Sequence, residues 1–511
     1  MAEPNNGLVA LFEDWRAFEK PAMVGGAPDY SAPAMVKKHE DLKAYQARLA
    51  AMDMTGWPVE WQVDYHLIRA EMNGLDFNIR VLQPWTRDPA FYTTVWSYQS
   101  DTPAHEGPTH HGLVELWTYS FPLSKEAQAK LATELAIIPP FLNQAQGNLT
   151  GNARDLWIAG IQNLKGQSAA LKDLQNQTRK AKSKLRSAIS AALIATVNFI
   201  SWLEAQAPFK TGPSGIGKEN YTWHLQNVHL IPMTWEDEVQ LLKRELSRAH
   251  AALKLEEQRN RDLPPLTAIS SPEEFDRRAN EAVSNYMTFL AENKILPIKD
   301  YMDPAMRAQV GRYVEPGARN FFVKGLHLDP LPLYTHWYHW WDLARMAEDP
   351  NPNPIRRGPL LYNIWDSRSE GLSTAMEEMM MHAGLYDDNP RAREIVLIMV
   401  AQRAARGLGS LYAQANDFTM KEARDFHVKW TPRGWMNPEL DLLGFEQQLY
   451  LRQPGYGTSY ITGKYLIDEL IKDVSSEKGD DFSLYSFFEE IDALGVIPVS
   501  LIRMEMTNQA K

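Results

Sequence analysis

Apolar residues return every three or four positions over long stretches of this chain. Leu185, Ile189, Ala192, Thr196, Phe199 and Leu203 form one such stripe, and Val239, Leu242, Leu246, Ala249 and Leu253 form another. These spacings put the side chains on one face of a helix and predict two long helices that pack by that face. Start signals agree. Thr234 precedes Trp235-Glu236-Asp237, Ser271 precedes Pro272-Glu273-Glu274, and Thr419 stands three before Glu422. In each, a hydroxyl can cap the first turn, and an acid is placed to bond back. Strand alternation is scarce, with residues 320–323 and part of 77–82 as the short candidates. Loops are expected at 21–33, 207–217 and 349–359, the last broken by Pro350, Pro352, Pro354 and Pro359. The chain therefore reads as mainly α with few short strands. A break near residue 210 divides it into an N-terminal helical layer, 1–210, and a C-terminal helical half, 211–511, that carries the site; one continuous domain is the alternative.

Composition narrows the chemistry. The 511 residues exceed what a single small core needs. A net charge of −11 argues against a general nucleic-acid binder, which carries a basic face. There is no cysteine, so disulfides, thiolate catalysis and cysteine-held zinc or iron–sulfur clusters are excluded. Any metal must sit on His, Asp, Glu or backbone oxygen. The first twelve residues lack the basic start and apolar run of a secretory signal, and no apolar stretch is expected to reach the length of a membrane span. A cytoplasmic location is the expectation, with no membrane and no nucleic-acid partner. Aromatics make up 11% of the chain, including 16 Trp, enough either to line a cleft or to fill a core.

Four clusters carry candidate chemistry. In Tyr334-Thr335-His336-Trp337-Tyr338-His339-Trp340-Trp341-Asp342, a continuous helix would put His336, His339 and Asp342 on one side, roughly 60° apart per step. Two imidazoles and a carboxylate on one face can begin a zinc, iron or manganese site; they can equally hydrogen-bond inside an aromatic core. Glu370 and Glu377, seven apart, share a helix face, and a carboxylate from a second helix is what such a site needs. His105-Glu106-Gly107-Pro108-Thr109-His110-His111 imitates a zinc motif, but its histidines are five apart across Gly-Pro, so a loop that covers a cleft or lends one histidine to it is expected. In Pro454-Gly455-Tyr456-Gly457-Thr458-Ser459-Tyr460, the glycines permit close approach, and Tyr456 or Tyr460 can donate to a developing oxyanion.

At these residues the chain resembles the domain-of-unknown-function 885 family, whose fold is similar to helical metallocarboxypeptidases of the Taq type. The resemblance rests on Gly217 to Tyr221 with Leu230 to Thr234, on Glu370-Gly371-Leu372, on the Pro454 to Tyr460 stretch with Gly463-Lys464, and on Phe487-Phe488 through Gly495 to Pro498. It implies a large multi-helix fold around a deep central cleft, with one divalent metal (Zn, Mn or Fe). It implies His336, Asp342 and Glu370 as ligands, and His339 as a further ligand or base. The family's first metal helix reads His-Glu-x-x-Pro-Gly-His. Aligned from His336, its glutamate falls on Trp337 and its second histidine on Asp342. Tryptophan cannot act as a base, so the mechanism in which a glutamate activates water on zinc does not carry over.

The expected function is thus a metal-dependent enzyme with a divergent metallopeptidase-like site. It would hydrolyse or eliminate on a small amide, ester or carboxylate substrate, or a short peptide-like one, and not act as an ordinary peptidase. His339, Tyr460 and Glu377 would move protons, and Tyr456, Trp337 and Trp340 would contact substrate. A metal-free lyase or isomerase in the same cleft and a non-catalytic ligand-binding protein are the alternatives. Oligomeric state stays open, a homodimer included.

Overall fold

The computed structural model describes residues 5–102, 109–362 and 366–507. They form 22 α-helices with short 3-10 and π-helical turns between some of them. The described strands are two pairs of two residues: Met23–Val24 antiparallel to Ala27–Pro28, and Val95–Trp96 parallel to Val114–Glu115. The chain is mainly α, as its periodicity predicts.

Both stripes lie on long helices, Ser183–Gln206 and Trp235–Arg259, and every stripe residue is buried. The caps form too. Thr234 with Asp237, and Thr419 with Glu422, make reciprocal capping boxes, and the Ser271 hydroxyl accepts from the Glu274 amide. Both strand candidates are corrected. The Asn320 side chain accepts from the Val323 amide at 3.0 Å and starts the helix Phe321–Leu328. Residues 77–82 are the end of the helix Val59–Phe77 followed by a π-helical turn, Asn78–Leu82. A short apolar run has no period of its own, and the cap decides.

A second correction concerns length and hydropathy. One helical stretch, Ser183–Phe209, is long and apolar enough to cross a bilayer, contrary to the expectation that none is. Its buried stripe packs with Leu164, Leu171 and Trp157 in one core.

The largest core joins both ends of the sequence. Leu8, Trp15, Leu67 and Leu75 pack in it with Phe275, Tyr286, Trp341, Met376, Phe487 and Ile502. Residue 210 lies in the loop between the turn Ala207–Phe209 and the helix Lys218–Asn227, and this core has members on both sides of it.

Three helices at the centre set the site: Asp366–Ala383, Ala392–Gln414 and Tyr456–Lys478. Glycine lets them touch backbone to backbone. A Cβ on Gly371 would stand 2.4 Å from the Gly463 Cα, and one on Gly463 would stand 2.1 Å from the Ser367 carbonyl oxygen. Gly457 is similarly tight, its Cβ position being 2.8 Å from the Ser410 Cβ. The Glu-Gly and Gly-Lys pairs of the sequence are therefore the two sides of one helix crossing.

Candidate active site

The chain does not run as one helix through the histidine cluster. A short helix, Pro330–Tyr334, ends, residues 335–337 form a turn, and a new helix starts at Tyr338 and runs to Glu348. His336 lies in the turn and His339 in the first turn of the new helix. Their rings meet edge to face, with centroids 5.2 Å apart. Glu370 reaches them from the helix Asp366–Ala383, its Oε2 standing 3.2 Å from His336 Nε2. The other carboxylate oxygen accepts from both tyrosine hydroxyls, Tyr456 and Tyr460, each at 2.8 Å. The glycine crossing makes this possible, because it brings the tyrosine-bearing helix against the one that carries Glu370.

His336, His339 and Glu370 are all buried, and each offers a ligand atom within 4.8 Å of the others. Two imidazoles and one carboxylate are a donor set that suits zinc, manganese or iron. His339 Nδ1 is buried with no hydrogen-bond partner. An orphaned imidazole nitrogen beside a second imidazole and a carboxylate is what a ligand set lacking its ion looks like, so the residues fit a divalent metal.

Asp342 is not part of this group. Its carboxylate, fully buried, is taken by Arg345 and by Arg368, whose Nη1 donates to Oδ2 at 3.0 Å. Arg345 also pairs with Asp492, which accepts from the Tyr338 hydroxyl at 2.7 Å. The helix break at His336 is the cause: with His336 off the helix, the face shared by His339 and Asp342 no longer includes it, and Asp342 turns to the arginines. His339 stands in the ligand group instead.

Glu377 is corrected as a proton-moving group facing substrate. It sits behind His336, fully buried, with Oε1 3.0 Å from His336 Nδ1 and Oε2 accepting from Arg403 at 2.6 Å. Arg403 also donates to His336 Nδ1 at 3.2 Å. Either tautomer of His336 thus finds a partner, Glu377 for a protonated Nδ1 and Arg403 for a bare one.

A chamber of about 340 Å³ opens beside the three candidate ligands. Trp337, Trp340, Tyr456 and Tyr460 all line it, so the aromatic residues expected at the substrate are at its walls. The described part of the histidine loop is elsewhere: His110 and His111 line another cavity, and His111 pairs with Glu19 at 2.8 Å. Residues 103–108 of that loop lie outside the described residues.

Asp101, Arg403, Arg406 and Glu446 also line the chamber, and none was singled out as a site residue by sequence. Two arginines three apart inside the apolar run 392–414 were the available signal for the first pair. Asp101 had none, for it arrives from a loop more than 200 positions away and stands 3.9 Å from His339 Nε2. Its Oδ1 is buried without a partner.

The electrostatics follow from burial opposed by pairing. Burial pushes Glu370 up, but the His336 hydrogen bond, both imidazoles and Tyr460 outweigh it and hold the carboxyl at about 2. Burial drives His339 down to about 3, so it is a neutral base at physiological pH. Burial and Arg403 push His336 down too, yet Glu370 and Glu377 prevail and leave it raised. Burial, then the charge of Glu370, lifts Asp101 to about 7.

Comparison with known proteins adds a fold and a family. No curated protein matches. A solved protein from Shewanella oneidensis, named as a candidate lipoprotein of unknown function, is similar over 99% of this chain and 100% of its own, with 17% identity and a TM-score of 0.73. A second candidate lipoprotein, from Colwellia psychrerythraea, is similar over 99% of each chain, with 14% identity and a TM-score of 0.67. The profile of the family described as "Bacterial protein of unknown function (DUF885)" matches residues 22–310 and 339–506, leaving His336 and Trp337 in the interval between. The chain belongs to this family.

Proposed function

We propose that this member of the DUF885 family is a metal-dependent enzyme, a divergent relative of helical metallocarboxypeptidases, that hydrolyses a small amide or ester. The carrying observation is the buried His336, His339 and Glu370 group at the wall of an aromatic-lined chamber. A divalent ion held there would supply Lewis acidity toward the oxygen of a substrate carbonyl.

The chain's own residues supply the rest. On the resemblance aligned from His336, Trp337 falls where a glutamate is expected, and a tryptophan cannot take a proton. Asp101 lines the same chamber, its Oδ2 standing 3.9 Å from His339 Nε2, and is the carboxylate that would take a proton from attacking water. Tyr456 and Tyr460 hold Glu370 through its Oε1 and fix which oxygen faces the imidazoles. Glu377 orients His336 from behind, as carboxylates commonly do for metal-ligating imidazoles. Trp340 and Phe445 stand where the chamber meets a second, shallower pocket.

One observation favours a second reading, a metal-free lyase or isomerase. Arg403 beside His336 Nδ1 disfavours added positive charge there, such as a metal ion would bring. The two structural relatives are named as candidate lipoproteins, and fractionation of the native host tests a cytoplasmic against a membrane-attached location for this chain.

Metal content tests the first reading. Protein purified without a His tag and incubated with zinc, manganese or iron should hold close to one equivalent by mass spectrometry. His336→Ala and His339→Ala should each lose it while staying folded. A wild-type protein that takes up no metal leaves the acid–base reading standing.

A further inference from the structure

We propose that the hairpin of the helices Arg154–Gln177 and Ser183–Gln206 binds an anionic lipid surface, with the exposed face of the second helix laid along it. The inference is independent of the metal and of the reaction proposed above.

The turn of this hairpin is crowded with positive charge. Arg179, Lys180, Lys182, Lys184 and Arg186 fall between positions 179 and 186 of a chain whose net charge is −11. All five are exposed. Among the described residues, none of them is in an ion pair. Arg179 donates to the neutral Asn176 side chain at 2.8 Å, and Glu126, on the helix Lys125–Leu135, feels Lys182 without pairing with it. Three of the five also stand where the fold does not favour them. Lys182 is the N-cap residue of the second helix, Lys184 and Arg186 follow within its first turns, and its first turn holds no acid. The N-terminal end of a helix carries partial positive charge, so cations gathered there lower stability. An anionic surface laid against them reverses that sign.

The adjoining helix surface selects the kind of anion. Residues 187–203 hold no charged side chain, in a chain that is 23% charged. One face of this stretch is spent on the core, through Ile189, Ala192, Phe199 and Leu203. The other is open, with Ile194 60% and Val197 42% exposed. Lys184, Ser187, Ala191 and Ile194 follow at spacings of three and four, and Arg186 and Val197 lie beside that line. Cations and exposed apolar side chains thus share one face, with the cations at its head. A bilayer uses both parts: lipid phosphates meet the cations, while Ile194 and Val197 enter the headgroup boundary. A nucleic acid would use the cations and leave the apolar side chains in water. The contact lies on the surface and does not span it, because the buried stripe of the same helix is held by Trp157, Leu164 and Leu171.

Co-sedimentation with large unilamellar vesicles tests this, with phosphatidylcholine alone and with phosphatidylcholine containing about 30% phosphatidylglycerol. At about 50 mM salt the anionic vesicles should bind the protein at least about tenfold more tightly than the neutral ones, and about 500 mM salt should release it. Each cation near such a surface is worth roughly fivefold, so Lys180→Glu with Lys182→Glu and Lys184→Glu should lower binding by about a hundredfold or more. Ile194→Ser with Val197→Ser should weaken it several-fold at unchanged charge. The substituted side chains are exposed, and circular dichroism and melting temperature check that both variants fold. Lys254→Glu with Lys421→Glu and Lys472→Glu makes the same change of net charge at exposed positions elsewhere and should leave most of the binding in place. Absence of binding to the anionic vesicles, equal binding to the neutral ones, or binding that survives in the folded Lys180, Lys182 and Lys184 variant overturns the proposal. So does an equal loss in the Lys254, Lys421 and Lys472 variant, which would reduce the effect to net charge. Duplex DNA bound more tightly than the vesicles, with no effect of Ile194→Ser and Val197→Ser on either, overturns it in favour of a nucleic-acid contact.

Discussion

A buried carboxylate is costly unless it is paired or hydrogen-bonded, and Asp342 has two guanidinium partners. Its oxygens face Arg345 and Arg368, and the latter is itself fully buried. Removing one partner of such a cluster leaves uncompensated charge in the core. Asp342→Ala is expected to cost about 3–5 kcal/mol in a denaturant titration. Metal bound per folded molecule should stay unchanged, because Asp342 holds arginines and no ligand position. Loss of metal at constant stability would put it back among the ligands. The same contrast explains what was legible at this scale. Glu370, Tyr456 and Tyr460 are legible as candidates because such residues are scarce on apolar helices, and His336 because it sits in a dense aromatic cluster. Asp342 was misread because its direction depends on where the helix breaks, and spacing cannot report a turn at residues 335–337. Asp101 was invisible, since nothing local marks a residue that meets its partners only after the chain has folded.

Helix crossings hold the site at the next scale. Alanine for glycine inside a helix ordinarily stabilises it by up to about 1 kcal/mol. Gly166, within the helix Arg154–Gln177, has nothing within 4 Å of a Cβ, and Gly166→Ala should follow that rule. Gly371→Ala should reverse the sign, with a cost of about 1–3 kcal/mol, because its Cβ would stand 2.4 Å from the Gly463 backbone. Thermal unfolding of the two variants checks the pair. A stabilised Gly371→Ala protein would mean that the helices are free to separate there. Periodicity and capping residues made the helices themselves readable, since 3.6-residue spacing and a hydroxyl at the cap are local properties. Which helices touch was not readable. That depends on two glycines 92 positions apart whose meaning appears only when they face each other.

At the scale of the whole molecule, acid should loosen the fold through buried imidazoles. His224 and His229 face each other with centroids 4.7 Å apart. Burial holds His224 well below its usual value and His229 down at about 4. Both are neutral when folded, while the unfolded chain binds protons near pH 6.5. The unfolded state therefore gains protons first, and the stability these groups contribute is full above about pH 6.5 and lost as pH falls toward 4. Denaturation midpoints should drop between pH 7.5 and pH 5. His224→Gln with His229→Gln should flatten that part of the slope, and an unchanged slope would assign it to other groups. A division near residue 210 was a fair reading of a Pro- and Gly-rich loop. The burial of Leu8 and Trp15 with Phe487 and Ile502 is a long-range fact that composition could not convey.

The walls of the chamber come from Asp101, from the segment 309–370, from the Arg403 helix, from the helix Asp441–Arg452 and finally from Tyr456 and Tyr460. During synthesis the first of these leaves the ribosome some 360 residues before the last. Until Tyr460 has emerged, Glu370 lacks two of its hydrogen-bond donors and Arg406 lacks the ring beneath it. A nascent or prematurely ended chain thus carries separate pieces of the site and never a working chamber, so whatever chemistry the protein performs is withheld from the cell until nearly all of it has been made.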